Sequence, residues 1–172
     1  RNLVTWNKEI YVLANDADFV MLYLRTDLFE RDNINEPNTW NELITIAKRY
    51  NGTDINDDGI PDYGICWPAN EFNFAMIAMN VHASTMQGKG VEQGLFFDLL
   101  SGLPLWNTTA AARAFSILYT LLSLSPFAEH GPNHHNFLGH AMDFKKGRCA
   151  ALVGMPGLFK AIMFKGHTKV NG

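Results

Sequence analysis

The nine residues 54–62 have the types and spacing with which proteins hold a calcium ion. Oxygen-bearing side chains recur at alternate positions, and Gly59 follows them where a calcium loop turns sharply. The loop departs from the calcium pattern at its twelfth position, where Ile65 replaces the usual bidentate glutamate. The segment predicts a weak calcium site, and the alternative is an Asp/Asn-Gly turn whose side chains bond their own backbone. The predicted ligands are Asp54, Asn56, Asp58, the carbonyl of Ile60, and Asp62.

Histidines are concentrated further along the chain, between His130 and His140. The adjacent pair His134 and His135 would point apart in regular structure, and no cysteine or HExxH spacing completes a zinc set. We interpret this stretch as a solvated loop. The alternative is a metal-dependent hydrolase that uses these histidines with Asp143. Because nucleophile-elbow, P-loop and dinucleotide-binding motifs are also missing from the sequence, we do not expect an enzyme.

Regular elements are predicted on both sides of the acidic loop. The run 19–25 is continuously apolar, which is typical of a strand covered on both faces. A helix is predicted to begin after Thr39, because Thr39 and Glu42 form a capping box, and to end near Gly52. A second buried strand, 63–67, follows the loop directly.

The second half of the chain continues the alternation of helices and strands. We predict a helix over 71–86, a β-hairpin over 95–106, a helix from Thr108 to Pro126, and a strand over 149–155. Helices placed between strands indicate the α/β class, with a mostly parallel sheet flanked by helices and a small β-hairpin.

Composition narrows the class of protein. A chain of 172 residues that is 47% hydrophobic and 18% charged fits one globular unit, so we treat 1–172 as a single lobe of a larger protein. The net charge of -3 supplies no field that would gather nucleic acid. Arg1 opens the chain without a signal-peptide pattern, and we expect the chain to come from a longer protein. The two cysteines, Cys66 and Cys149, lie in apolar runs, and we interpret them as free thiols.

The order of these elements resembles a known family. The chain is similar to the C-terminal lobe of the extracellular solute-binding proteins of the maltose-binding type, the receptors of ABC importers, which have a type II periplasmic-binding-protein-like fold. In that family two α/β lobes close around a solute at the carboxyl ends of their strands. The matching pieces follow in the family's order: IYVLANDAD, LYLRTDLFE, TWNEL, GTDINDDGIPDYG, LFFDLLSGLPLWN, AAARAFSILYTL and FKKGRCAALVGMPG.

The resemblance implies a set of ligand-binding residues on the cleft side of the lobe. Asp18 would supply a carboxylate, and the loop 67–72 would supply aromatic faces and hydrogen bonds. The chain has no aromatic residue at Gly157, where sugar-binding relatives often have one. Alternatives remain for two members, because Trp67 beside Pro68 would also fit the core and Asp18 could cap or pair locally. The implied ligand-binding residues are Asp18, Trp67, Asn70, Glu71, Phe72, Met155 and Gly157.

The resemblance also implies a function. The lobe would bind a small polar solute such as a sugar, close with a second lobe, and signal to a membrane partner, outside the cell or in the periplasm. That partner would be an ABC permease, or a signalling domain such as a nucleotide cyclase fused to the lobe as its sensor. No cofactor would be required. The alternative function from another class is a calcium-stabilised protein-interaction module built on the acidic loop.

Overall fold

The computed structural model describes residues 5–13, 19–68, 70–88, 93–127, 138–158 and 162. None of the helices in these ranges combines the length and the apolarity needed to cross a bilayer. The elements are, in chain order, β1 (Thr5–Trp6), β2 (Glu9–Ile10), β3 (Met21–Leu24), α1 (Thr26–Arg31), α2 (Trp40–Tyr50), β4 (Tyr63–Cys66), α3 (Glu71–Met86), α4 (Thr109–Ser123), α5 (Gly139–Lys145) and β5 (Cys149–Gly154).

The main sheet has the strand order β3-β5-β4 and is mixed. Strand β3 runs antiparallel to β5, with Met21 opposite Gly154, whereas β4 runs parallel to β5, with Ile65 opposite Ala151. The expectation of a mostly parallel sheet is therefore not confirmed. The expectation that the run 19–25 is covered on both faces is also wrong, because β3 lies at the edge of the sheet and leaves Phe19, Met21 and Leu22 exposed.

Three helices cover one face of the sheet and α5 covers the other. Helices α2, α3 and α4 enclose the larger core, and α2 lies so close to β4 that a Cβ added at Gly64 would collide with the carbonyl group of Ala47. On the opposite face Ala141 and Phe144 of α5 pack against Leu152. The larger core contains Leu43, Ala47, Ile65, Trp67, Ile77, Val81, Ala114, Ile117, Leu118, Leu121, Ala151 and Val153.

The predicted helices form where the sequence supplies their caps. The Thr39 hydroxyl accepts a hydrogen bond from the Glu42 amide at 3.2 Å, and the Glu42 carboxylate accepts one from the Thr39 amide at 3.1 Å. This pair is the capping box expected from the sequence. Asn70 and Thr108 cap α3 and α4 more simply, each accepting one hydrogen bond from a main-chain amide three residues further on.

Only part of the predicted hairpin forms. One antiparallel bridge joins Phe97 to Pro104, and the Asp98 amide donates to the Leu103 carbonyl at 2.9 Å. The turn is held by the Asp98 carboxylate, which accepts a hydrogen bond from the Ser101 amide at 2.7 Å. A proline lacks the amide that a longer ladder would need, so the segment forms a bridged loop in place of two paired strands.

The interpretation of the cysteines as free thiols is wrong. Cys66, the last residue of β4, and Cys149, the first residue of β5, form a disulfide across a sequence separation of 83 residues. Both residues are completely buried. Their apolar surroundings indicated burial correctly, but a pair so far apart in the chain gives no local sign that the two residues meet.

Candidate functional site

The ends of β4 and β5 form a rim, and four of the seven predicted ligand-binding residues, Asn70, Glu71, Met155 and Gly157, follow these two strands. Because these strands are parallel, their carboxyl ends lie at the same edge of the sheet, where α/β proteins commonly bind ligands. Pro68 after β4 and Met155 after β5 line one small cavity of about 10 Å³ together with Leu158. The structure thus brings the segments that follow the two strands together.

Trp67 does not belong to the accessible part of this rim. Its side chain is 0% exposed and lies in the larger core with Leu43, Ile77 and Val81. The indole N–H has no hydrogen-bond partner among the described residues. Trp67 continues the alternation of β4, two residues after Ile65, and therefore points to the same helix-covered face. The alternative interpretation, a core residue, is the one that fits, and the ring is not available for stacking on a solute.

Asn70 and Glu71 lie where α3 begins, directly beside the end of β4. The Asn70 side-chain oxygen accepts a hydrogen bond from the Asn73 amide at 3.0 Å and so caps the helix. The Asn70 Nδ2 is buried and has no partner in the described part of the chain. Glu71 is exposed in the first turn. The pair therefore offers a donor and an acceptor, the two groups needed to bind a hydroxyl.

The β5 side of the rim is formed by Met155 and Gly157. The Met155 carbonyl accepts a hydrogen bond from the Tyr23 hydroxyl at 2.8 Å, which fixes the chain as it leaves the sheet. Gly157 is exposed, and a Cβ added there would meet nothing within 4 Å. The two remaining predicted residues cannot be placed: Asp18 and the side chain of Phe72 lie outside the described residues, and their roles stay predictions.

The acidic loop is folded around its own side chains. The Asp54 carboxylate accepts hydrogen bonds from the amides of Asp58 at 3.1 Å and Gly59 at 2.8 Å. The Asp58 carboxylate in turn accepts one from the Ile60 amide at 3.0 Å. Among the residues described, no group of three or more His, Cys, Asp or Glu side chains is placed to hold a metal ion. These bonds are those of the turn alternative, and the calcium site stays a prediction.

Asp62 differs from the other carboxylates of the loop because it is buried. Its Oδ2 accepts a hydrogen bond from the Ile55 amide at 3.0 Å, while its Oδ1 is buried without a partner in the described segments. Burial raises the pKa of Asp62, the Ile55 amide lowers it, and the nearby charges of Asp58 and Asp54 raise it further. Among the carboxylates of the loop, Asp62 is thus the one whose buried charge a bound cation or a proton would stabilise most.

We expect Asp62→Asn to stabilise the protein at neutral pH in the absence of calcium. An aspartate whose pKa is raised in the folded state favours folding only while it is protonated, so its cost appears as pH rises above the unfolded value of 3.8. The gain from Asp62→Asn should therefore shrink to nothing in acid. Urea unfolding across pH measures it, with the exposed Glu36→Gln as the control for charge alone. A gain that does not depend on pH would contradict this reasoning.

If the loop binds calcium, the effect of Asp62→Asn on stability should reverse, from stabilising without calcium to destabilising with it. We propose that the wild type gains about 1.4 kcal/mol when calcium is present at ten times its dissociation constant, and that Asp62→Asn loses this gain. Thermal melting with calcium chloride and with a chelator measures the difference. Equal melting of the wild type in both solutions would contradict the calcium site and, with it, the calcium-stabilised interaction module.

The histidine alternative receives no support from the part of the chain that is described. His140 is buried in α5, and Asp143 pairs with Arg148 at 3.6 Å. Each of these side chains therefore contributes to the packing or pairing of α5. The other members of the proposed set, His130, His134 and His135, lie outside the described residues.

A wide groove beside β3 was not expected from the sequence. Its volume is about 760 Å³, and it lies between β3, the start of α2, and α3. Trp40 is held in it by a hydrogen bond of 2.8 Å from its indole N–H to the Ser84 hydroxyl. Trp40 lies at helical spacing from the buried Leu43 and Ala47, which predicts a buried position for it, and only the packing of α2 beside an edge strand shows that the groove is open. The lining residues are Val20, Met21, Leu22, Pro37, Asn38, Thr39, Trp40, Asn41, Leu43, Asn80, Ser84, Thr85, Arg113 and Val153.

Comparison with known proteins adds to this geometry. No family model and no curated protein sequence matches the chain. Among solved structures, an ABC transporter solute-binding protein from Agrobacterium radiobacter K84 in complex with ribitol is 19% identical, with a TM-score of 0.71 over 97% of this chain and 39% of that one. Maltose-bound MalE3 from T. maritima is 19% identical, with a TM-score of 0.72 over 99% of this chain and 40% of that one.

A chitin oligosaccharide binding protein is similar to the same extent. It is 17% identical, with a TM-score of 0.70 over 95% of this chain and 39% of that one. This chain therefore spans about two fifths of the length of the structures it matches. The resemblance recognised in the sequence is confirmed in three dimensions: the chain has the fold of one part of the ABC transporter solute-binding proteins.

Proposed function

We propose that the chain is part of a lobe that binds a small polar solute, a sugar or a polyol, at the rim where β4 and β5 end. The observation that carries the proposal is the shared fold over 95% or more of the chain with proteins whose structures contain ribitol or maltose, or that bind chitin oligosaccharide. These compounds all carry many hydroxyl groups. A polyhydroxylated solute is therefore the class that we assign to this rim.

The rim residues suit such a solute chemically. The buried Nδ2 of Asn70 would donate to a solute hydroxyl, and the exposed Glu71 carboxylate would accept from one. A hydrogen bond to a charged group contributes about 1.5–3 kcal/mol, more than one between neutral groups. The open rim alone leaves most of the solute in water, so we propose that a second lobe closes over it.

The proposed role is binding without catalysis, read by a partner in the membrane. An ABC permease would respond to closure in an importer, and a fused signalling domain, such as a nucleotide cyclase, would respond to it in a sensor. We place the lobe in an extracellular or periplasmic setting. The buried Cys66–Cys149 disulfide supports that setting, because such bonds form and persist in oxidising compartments.

Binding of ribitol and maltose tests the proposal directly. We expect both solutes, added at high millimolar concentration, to shift the NMR signals of the Asn70 and Glu71 amides. Glu71→Gln should weaken binding about tenfold, the effect of losing about 1.4 kcal/mol of charge-assisted hydrogen bonding. Asn70→Asp keeps the capping oxygen and replaces the donor Nδ2 by an acceptor, so it should weaken binding without lowering the melting temperature.

The matched control is Glu30→Gln. Glu30 is equally exposed but lies on α1, which follows the carboxyl end of the antiparallel strand β3 and so lies at the opposite edge of the sheet. Its substitution should leave binding unchanged. If neither solute perturbs the rim, or if Glu30→Gln weakens binding as much as Glu71→Gln, the proposed site is wrong.

A further inference from the structure

We infer that Asn107 carries an Asn-linked oligosaccharide, and that the first sugar of this glycan covers an exposed aromatic surface formed by Trp106 and Phe115. The inference rests on the proposed function only through the extracellular setting, in which such glycans are found. The surface is separate from the solute rim. Trp106 stacks on His82 near the end of α3, whereas the rim lies where α3 begins.

The first observation is the motif Asn107-Thr108-Thr109, an Asn-x-Thr acceptor sequence for such glycans. It lies directly before and at the start of α4, and both Asn107 and Thr109 are exposed. Thr108 between them is fixed, because its hydroxyl accepts a hydrogen bond from the Ala111 amide at 3.2 Å and donates one to the Leu105 carbonyl at 2.8 Å. The acceptor amide is therefore presented on a well-held, open turn.

A second Asn-x-Thr motif, at 51–53, has different surroundings. The Asn51 Oδ1 accepts a hydrogen bond from the Gly64 amide of β4 at 3.4 Å, and the Thr53 hydroxyl donates one to the Tyr50 carbonyl at 2.6 Å. These side chains hold the end of α2 beside the sheet. Tyr50, the aromatic residue that precedes this motif, is buried. The structure therefore assigns the glycan to the other motif.

The second observation is the open face of Trp106. Its ring stacks on those of His82 and Phe96, with centroid distances of 4.7 Å and 5.1 Å. The centroids of His82 and Phe96 are 5.8 Å apart, whereas rings on opposite faces of an indole would be separated by about 7 Å or more, twice the usual contact distance. His82 and Phe96 therefore share one face of Trp106. Because the side chain is still 46% exposed, the other face is open to solvent.

The third observation is the position of this face beside the acceptor. Phe115 of α4 extends the surface, with its ring centroid 6.1 Å from that of Trp106, and is itself 52% exposed. Exposed apolar surfaces commonly mark a contact. Asn107 directly follows Trp106, so a sugar on its side chain lies within reach of the indole. The C–H face of a sugar packs on the electron-rich face of an aromatic ring, and its hydroxyl groups remain in water.

The modification is a substitution at the first carbon of the sugar. The Asn107 Nδ2 forms a bond to C1 of an oligosaccharide that is carried on a lipid diphosphate. The bond between C1 and the phosphate oxygen breaks, and its electron pair stays with the departing lipid diphosphate. Nδ2 gives up one proton, and no atom is oxidised or reduced. The modified side chain keeps its carbonyl oxygen and one N–H.

Peptide mass mapping of the protein purified from its own cells tests the site. An amidase that removes Asn-linked glycans in heavy-oxygen water turns a glycosylated asparagine into a labelled aspartate, and we expect this label at position 107. In a secreting cell line that performs the reaction, Thr109→Ala should abolish the glycan and Thr109→Ser should keep it. Thr53→Ala is the matched control in the second motif and should leave the glycan at position 107 unchanged.

Thermal melting tests the contact with the aromatic surface. The unmodified form is the same polypeptide secreted by a host that lacks the reaction. We expect the glycosylated form to melt about 2–4 °C higher, the shift that one apolar contact gives in a domain of this size. Trp106→Ala should remove this difference. Leu100→Ala removes an equally exposed apolar side chain at the turn of the bridged loop and should keep it.

Oxidation by hydroxyl radicals examines the same contact without a substitution, so it does not depend on whether Trp106→Ala folds. Mass spectrometry of the oxidised peptides should show that Trp106 reacts severalfold more slowly in the glycosylated form than in the unmodified one. Tyr11, an exposed residue that follows β2, should react equally in both forms.

Three results would overturn the inference. They are an unmodified Asn107 in the protein from its own cells, a melting difference that persists in Trp106→Ala, and equal oxidation of Trp106 in both forms. An unmodified Asn107 together with a dimer that Trp106→Ala abolishes would assign the surface to a second copy of the chain. No solute is present in these measurements, so a chain that binds ribitol without carrying the glycan would overturn this inference and leave the proposed function standing.

Discussion

Replacing both Cys66 and Cys149 by alanine is expected to lower the free energy of unfolding by about 2–5 kcal/mol. The disulfide joins residues separated by 83 positions, so its loss releases a long loop in the unfolded chain and increases the entropy of that state. Equilibrium unfolding in urea measures the loss, and the slope of the transition should rise because the unfolded chain becomes more extended.

Reduction of the wild type separates the cross-link from the packing. The reduced protein keeps both sulfur atoms in the core but lacks the bond, whereas the double alanine variant lacks both. The reduced wild type should therefore lie between the oxidised wild type and the variant. Two titratable thiols in the native purified protein, or identical unfolding with and without reductant, would show that the bond does not form.

The disulfide also affects where the protein can work. Cytosolic thiols are kept reduced, and a lobe that loses this much stability on reduction would be weakened there. A large loss of stability on reduction would strengthen the proposal of an extracellular or periplasmic setting, while a negligible loss would remove the main structural support for that proposal.

Local sequence signals predicted the helices better than the sheet. The capping box of Thr39 and Glu42 depends on residues within one turn of the helix and is present, and the helices predicted over 71–86 and from Thr108 also form. The antiparallel direction of β3 is set by its pairing with β5, in which Met21 lies opposite Gly154, far away in the sequence. Apolar patterning cannot report that pairing, and for the same reason it could not report the disulfide.

The position of the candidate residues in the fold was predicted in part, and their role in binding stays a prediction. The order of elements correctly placed Asn70 and Glu71 after β4 and Met155 after β5, since parallel strands end at one edge. What residue order could not give is the direction of one side chain at a strand end. Trp67 was a candidate for stacking because aromatic residues commonly line solute clefts, yet the two-residue alternation from Ile65 sends it into the core.

Trp67→Ala is accordingly expected to cost about 3–5 kcal/mol of stability. The indole is completely buried between α2, α3 and the sheet, and alanine would leave a cavity that its neighbours Leu43, Ile77 and Val81 cannot fill. Trp67→Phe keeps most of the apolar volume and removes an N–H that has no partner among the described residues, so it should cost much less. Urea unfolding of both variants at one temperature provides the comparison.

Solute binding by the same two variants decides between core and cleft. If Trp67 is a core residue, Trp67→Phe should bind ribitol and maltose as the wild type does, and Trp67→Ala should bind them normally in whatever fraction remains folded. If the ring instead stacked on the solute, Trp67→Ala would unfold like the wild type and lose binding. Because the two roles predict opposite combinations of stability and affinity, one pair of measurements shows whether the solute contacts begin at Trp67 or, as we propose, at Asn70 and Glu71 beyond it.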